Sequence, residues 1–264
     1  MQLKTHAGWA WGGAAAGLLG GLVVFAPAHW LTQALEGASA GRLQLDDARG
    51  SVWQGSAQLT LTGGQGSRDA SRLPGRLSWR LRPSGWGMEA QVQADCCMAQ
   101  ALQMRLGLRW GGWRLQVEAG RSQWPASLLA GWGTPWNTVQ PEGSLSVVNE
   151  AVSLEWAGGQ MKWNGSAHLD AQDIASRLST LRPMGSYRLS WQANAALSDN
   201  MSGPTIALST LQGALRLSGK GEWIGSRLRF VGEASAAPER EAALANLLNI
   251  IGRRSGARSI ITVG

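Results

Sequence analysis

Charge is scarce in this chain, and so are the residues that most often carry chemistry. Of 264 residues 16% are charged, three are His, two are Cys, two are Phe and one is Tyr. With so few His, most acid–base and metal constellations are excluded: His6 and His29 lie in or beside an N-terminal apolar run, and His168 stands alone in a strand-like segment. No Cys or His spacing suits zinc, no Gly-x-Ser-x-Gly elbow occurs, and "SGKGEW" (218–223) lacks the flanking spacing of a phosphate loop. The acidic pairs, Asp46 with Asp47 and Asp170 with Asp173, read as solvated carboxylates in turns. The expectation is a protein with no catalytic residue, no cofactor and no bound metal: not an enzyme.

The two Cys are adjacent, Cys96 and Cys97. Neighbours on an extended strand point to opposite faces, so two free thiols, at least one of them buried, are expected. A bond between them is the alternative, which an oxidising compartment would permit.

What the chain has in quantity is Gly, 36 residues, and Trp, 15, within a hydrophobic content of 44%. That composition is too apolar for disorder and suits short strands joined by tight turns. The net charge of +7 comes mostly from isolated Arg, such as Arg76, Arg80, Arg82, Arg105, Arg109 and Arg114; the one doublet is Arg253-Arg254. No dense basic stripe accompanies the charge, which argues against nucleic acid as a partner.

From Ala7 to Leu35 there is no Asp, Glu, Lys or Arg. About 20 apolar residues cross a membrane as a helix, so residues 7–35 are expected to form a transmembrane helix, flanked by Trp9, Trp11 and Trp30. Residues 1–6, with Lys4, would form a cytoplasmic tail, leaving the bulk of the chain in the periplasm of a Gram-negative source. A cleavable signal peptide competes, because Ala26-Pro27-Ala28 has the small-x-small form of a cleavage site. Pro27 within that site and the apolar run beyond it favour the anchor. Gly13, Gly17 and Gly21 share one helix face and would admit close contact with another membrane helix.

Beyond residue 35 the chain repeats itself. Trp53-Gln54-Gly55-Ser56-Ala57 returns as Trp163-Asn164-Gly165-Ser166-Ala167, 110 residues later. Leu77-Ser78-Trp79 returns as Leu189-Ser190-Trp191 at 112, Met104-Arg105-Leu106 as Leu215-Arg216-Leu217 at 111, and Trp110, Arg114, Leu115 and Pro125 as Trp223, Arg227, Leu228 and Pro238 at 113. Blocks in constant order with slowly drifting offsets indicate a tandem duplication: repeat 1 over 36–150 and repeat 2 over 151–264. Within each, apolar and polar residues alternate, as in Leu77, Trp79 and Leu81 against Ser78, Arg80 and Arg82, the pattern of antiparallel strands with one face on a core. Gly111-Gly112 reads as a hairpin turn, and the second repeat is expected to turn somewhere in Gly219 to Gly225. Each repeat then has a helical stretch, Pro125 to Ala130 and Pro238 to Ile251, and a last strand, Ser144 to Val148 and Ser259 to Val263. The fold class expected is mainly β: two tandem repeats of roughly 110 residues, each a curved antiparallel sheet closed by a helix, after an N-terminal transmembrane helix. The twice-used Trp-x-Gly-Ser-Ala, together with Trp79 and Trp191, reads as a structural motif anchoring each sheet to its core, with the aromatic lining of an apolar groove as the alternative.

"ARGSVWQGSAQL" (48–59), "GRLSWRLRP" (75–83) and "RPMGSYRLSW" (182–191), after a single apolar segment, together resemble protein N of the bacterial type II secretion system over nearly the whole chain. The resemblance implies an inner-membrane component of the apparatus that exports folded proteins across the outer membrane, with a structural or assembly role, other secretion subunits as partners and no enzymatic activity. A lipid-binding or lipid-transfer groove is the competing function: repeated sheets with one apolar face beside a membrane are similar in style to AsmA-like envelope proteins, and phospholipid would then be a partner.

Overall fold

In the computed structural model, which describes residues 6–193, 204–224 and 227–263, the uncharged N-terminal run divides at Pro27. Pro cannot donate to a helix ladder, and Pro27 bridges instead to Ser51. Two helices result, α1 (His6–Val24) and α2 (Ala28–Ala38), where one helix over 7–35 was expected. α2 is amphipathic and lies on the sheet through Ala28 and Leu31. α1 lies on no strand, and Trp11 and Phe25 at its end are 78% and 80% exposed. Among the described residues no helix is both long and apolar enough to cross a membrane; six of the nineteen residues of α1 are Gly. Of the expected tail 1–6, only His6 is described, and it opens α1.

Among the described residues that follow, the strands form one antiparallel sheet of sixteen. In chain order these are β1 (Leu43–Gly50), β2 (Gln54–Thr62), β3 (Ala70–Arg72), β4 (Leu77–Ser84), β5 (Gly87–Ala94), β6 (Leu102–Arg109), β7 (Gly112–Val117), β8 (Gly120–Pro125), β9 (Glu142–Ala157), β10 (Gln160–Ala175), β11 (Gly185–Ala193), β12 (Thr205–Gly213), β13 (Leu215–Ile224), β14 (Arg227–Ala236), β15 (Arg253–Ser255) and β16 (Arg258–Val263). The sheet order is β1-β2-β4-β5-β6-β7-β9-β10-β11-β12-β13-β14-β16-β15, with β3 beside β2 and β8 beside β9. The sheet is continuous between the two halves, because residues 150 and 151 both lie inside β9. One edge of that long strand holds β8 along Ser144–Asn149 and β7 along Val152–Ala157, and the other holds β10. The expected strand Ser144 to Val148 is thus the first part of β9. β13 and β14 are paired from Leu215 with Ala236 to Ile224 with Arg227, so residues 219–224 of the expected turn range lie in β13, and residues 225 and 226 are outside the described residues.

Period-two alternation puts one apolar face along the whole sheet. The registers set Trp79 opposite Val92, Val92 opposite Leu102, Leu106 opposite Leu115, Leu115 opposite Leu154 and Leu189 opposite Leu208. Helices cover this face in three places. α2 lies over Ala57 and Trp79. A 3-10 helix, Ala126–Trp132, lies over Leu59, Leu61, Leu73 and Ala94 through Leu128, and a short α3 (Trp136–Val139) follows it. α4 (Glu241–Ile251) inserts Leu244, Leu247 and Leu248 against Met184, Tyr187, Leu215 and Ala234. The helix ending the first half is therefore a 3-10 helix, whereas the second half has a regular α-helix.

Cys96 and Cys97 are disulfide-bonded to each other, which corrects the expectation of two free thiols. The opposite-face argument does not apply, because residues 95–97 form a turn after β5, with the Cys97 N–H donating to the Ala94 carbonyl.

Candidate functional site

The two copies of Trp-x-Gly-Ser-Ala sit at the starts of β2 and β10 and are held differently. In the first, Gly55 pairs with Trp79 across the strands. A Cβ on Gly55 would come within 2.5 Å of the Trp79 ring, so Gly is what lets the indole lie flat there. Trp79 is 5% exposed, and its Nε1 donates to the Val52 carbonyl at 3.0 Å. Ala57 is fully buried, and Ser56 Oγ accepts a hydrogen bond from Arg76 Nε at 3.1 Å. Trp53 Nε1 donates to the Val23 carbonyl at 2.8 Å, tying the last turn of α1 to the sheet.

In the second copy, Trp191 pairs with Ala167, two residues further along than the first register would place it. An even shift keeps Trp191 on the same face. Gly165 has φ 117°, at a bulge between β9 and β10, a conformation side chains rarely adopt. Ser166 Oγ donates to Glu150 Oε2 at 2.9 Å. Trp163 is 37% exposed and meets Trp191 edge to face, ring centroids 6.0 Å apart. The same five residues thus surround a buried indole in one half and lie at an open end of the face in the other. On α1, a Cβ added at Gly13, Gly17 or Gly21 would meet nothing within 4 Å.

The three helical covers leave an apolar band bare. It runs across β6, β7, β9 and β10 through Leu106, Leu108, Trp113, Trp156, Met161 and Trp163, of which all but Trp113 are exposed. The band reaches the hairpin ends of these strands. One of those ends and the neighbouring β4–β5 hairpin carry a Trp at the tip itself: Trp110 in the β6–β7 loop, fully exposed, and Trp86 in the β4–β5 loop, 89% exposed. Sequence reading missed both as functional candidates, although "SGWG" (84–87) and "RWGG" (109–112) each put a Trp beside a turn Gly.

The opposite face is polar and laced by ion pairs. Asp170 accepts from Arg188 Nε at 2.6 Å and Nη2 at 2.7 Å, with His168 Nε2 4.0 Å away. Glu155 accepts from Arg114 at 2.6 Å and lies 3.8 Å from Arg109. Asp47 accepts from both Arg49 and Arg76, while Asp46 accepts from Thr60 Oγ1 at 2.8 Å. Hydrogen bonds from Arg hold the Asp170, Glu155 and Asp47 carboxyls below the usual carboxylate range. These carboxylates are engaged acceptors, and Asp173 is exposed on β10. Tyr187, in the Pro-Met-Gly-Ser-Tyr block, has a buried hydroxyl without a partner among the described residues, and burial pushes its pKa up. Among the described residues no group of three His, Cys, Asp or Glu could hold a metal ion.

The Asp170 pair has a consequence for acid stability. A carboxyl whose pKa is lower in the folded chain than its unfolded value of about 3.9 stabilises the fold fully above that value. The contribution is lost as pH falls through the folded pKa. Asp170→Asn is therefore expected to unfold more readily at pH 7 and to lose less stability than wild type on acidification from pH 6 to pH 3, as read by urea unfolding at each pH. Parallel acid dependences of the two proteins would contradict this assignment.

The family model of the Type II secretion system (T2SS), protein N, matches residues 41–261, from before β1 into β16. No curated protein and no solved structure matches the chain.

Proposed function

We propose a role from one premise: the chain belongs to the type II secretion system protein N family, which is not known for enzymatic activity. Membership implies a role in type II secretion and association with other components of that apparatus. The finer reading is an inner-membrane-anchored periplasmic component with a structural or assembly role, held at the membrane by α1.

The exposure of α1 carries this reading. A charge-free helix with Trp11, Leu18, Leu19, Leu22, Val23 and Val24 all exposed leaves a large apolar surface facing outward. Such a surface is stable in lipid and unfavourable in water. The sheet would then stand in the periplasm, where a Cys96–Cys97 disulfide is at home. The Gly13, Gly17 and Gly21 face of α1 is available to a second membrane helix. In the sheet, the edges β1 and β15 each pair with a single neighbour among the described strands, and such edges accept a partner strand. We read the two halves as a duplicated unit joined through β9, in which the Trp53 and Trp163 motifs have taken different local roles.

The bare apolar band favours a second reading, a groove for phospholipid acyl chains. One experiment separates the two: purification of the tagged chain from its native membranes after mild cross-linking, with proteins and lipids identified by mass spectrometry. Secretion subunits without stoichiometric lipid are expected. Stoichiometric phospholipid without secretion subunits would replace the structural role with the lipid-handling one.

A further inference from the structure

Antiparallel pairing fixes which hairpins lie at which end of the strands. Ser84 pairs with Gly87, Arg109 with Gly112 and Ala157 with Gln160, so three two-residue loops, Gly85-Trp86, Trp110-Gly111 and Gly158-Gly159, lie at one end of the sheet. In the order β4-β5-β6-β7-β9-β10 these tips follow one another two strands apart, about 10 Å at each step. The 3-10 helix, α4, the disulfide turn and the loop between β2 and β3 belong to the opposite end.

α1 leaves the sheet at the tip end. The Val52 N–H donates to the Ala26 carbonyl, Trp53 Nε1 donates to that of Val23, and the Leu81 N–H donates to that of Trp53. Leu81 is four residues before Gly85, about 13 Å along β4. From Pro27, α2 runs along β1 toward the other end.

Nothing in the hairpins calls for Trp. Two-residue loops favour Gly, Asn and Asp, and a solvated indole gains no burial. Yet both loops expose one, and just behind the tips stand Leu108, Trp156, Met161 and Trp163, all exposed. Exposed Arg82, Arg109 and Lys162 stand at the same end on the polar face. Trp at an end carrying both apolar and cationic side chains matches the interface of a phospholipid bilayer, where the ring enters the headgroup layer and cations meet phosphates.

We propose that this hairpin rim, led by Trp86 and Trp110, rests on the outer surface of the same bilayer that receives α1, so that the strands stand on the membrane and the bare apolar band opens toward lipid. The proposal rests on the reading of α1 as the anchor, and its test scores the two separately. The full chain, its native Cys pair oxidised, is given a single environment-sensitive fluorophore at Trp86→Cys, Trp110→Cys, Leu18→Cys or Arg68→Cys and reconstituted into phosphatidylcholine vesicles carrying spin-labelled lipid. Position 18 reports on α1, and position 68 lies in the loop at the far end of the sheet. The probes at 86 and 110 are expected to shift to shorter wavelength and lose emission to a headgroup-depth spin label. The probe at 18 should lose emission to an acyl-chain label, and the probe at 68 to neither. Quenching at 18 with none at 86 and 110 overturns the rim and leaves the anchor standing. Quenching at 86 and 110 with none at 18 supports the rim and overturns the anchor.

Discussion

Trp79→Ala is expected to lower the free energy of unfolding by about 3–5 kcal/mol, the range for truncating a buried Trp. The indole is almost fully buried beside Ala28 and Ala57, with Leu77, Leu81 and Val92 packed around it. Removing it opens a cavity bounded by β2, β4, β5 and α2, four elements that cannot all move inward together. It also orphans the Val52 carbonyl, which accepts from Trp79 Nε1 in the segment leading back to α1. An exposed Trp from the second copy of the Trp-x-Gly-Ser-Ala motif makes the control. Trp163→Ala removes an exposed ring whose main aromatic neighbour is Trp191, so its cost is about 0.5–1.5 kcal/mol, the size of one aromatic pair. Chemical unfolding of both variants in detergent, followed by circular dichroism, checks the difference. Equal losses would mean that burial does not set the cost of removing these two rings.

Much of the sheet is legible in the sequence, for a physical reason. A strand with one face on a core must alternate, and segments such as Leu102 to Arg109 do so without a break. Turn chemistry is equally local, as at Gly111-Gly112. What cannot be read this way depends on contacts between distant segments. The apolar run through Leu35 looks uniform by composition, yet its second part is a helix lying on β1, and only the bridge of Pro27 to Ser51 separates the two parts. The thiols of Cys96 and Cys97 look like neighbours on a strand until the chain turns at that point. The 3-10 helix replaces an α-helix where Gly131 passes so close to the Leu61 carbonyl and the Ser71 N–H that no Cβ would fit.

The candidate site shows the same limit more sharply. Alternation marks Leu77 and Leu108 alike as facing the core side, but α2 covers the neighbourhood of the first and nothing covers the second. Whether an apolar face is closed or open depends on where helices far along the chain come to rest. Trp86 and Trp110 became conspicuous only once the strand registers put their loops at the same end as α1.

The second large effect concerns secretion itself. Family membership implies a part in type II export, and sheet edges, a bare apolar band and an exposed helix with a Gly face are surfaces suited to contact. On the structural role proposed above, removing the chain is expected to strand folded cargo in the periplasm while the envelope stays intact. The direct measurement is the distribution of type II exoproteins between medium and periplasm in the source bacterium with the chain deleted, then restored. The account predicts that exoproteins accumulate in the periplasm of the deletion strain and return to the medium with the wild-type chain. Unchanged exoprotein release in the deletion strain would contradict it.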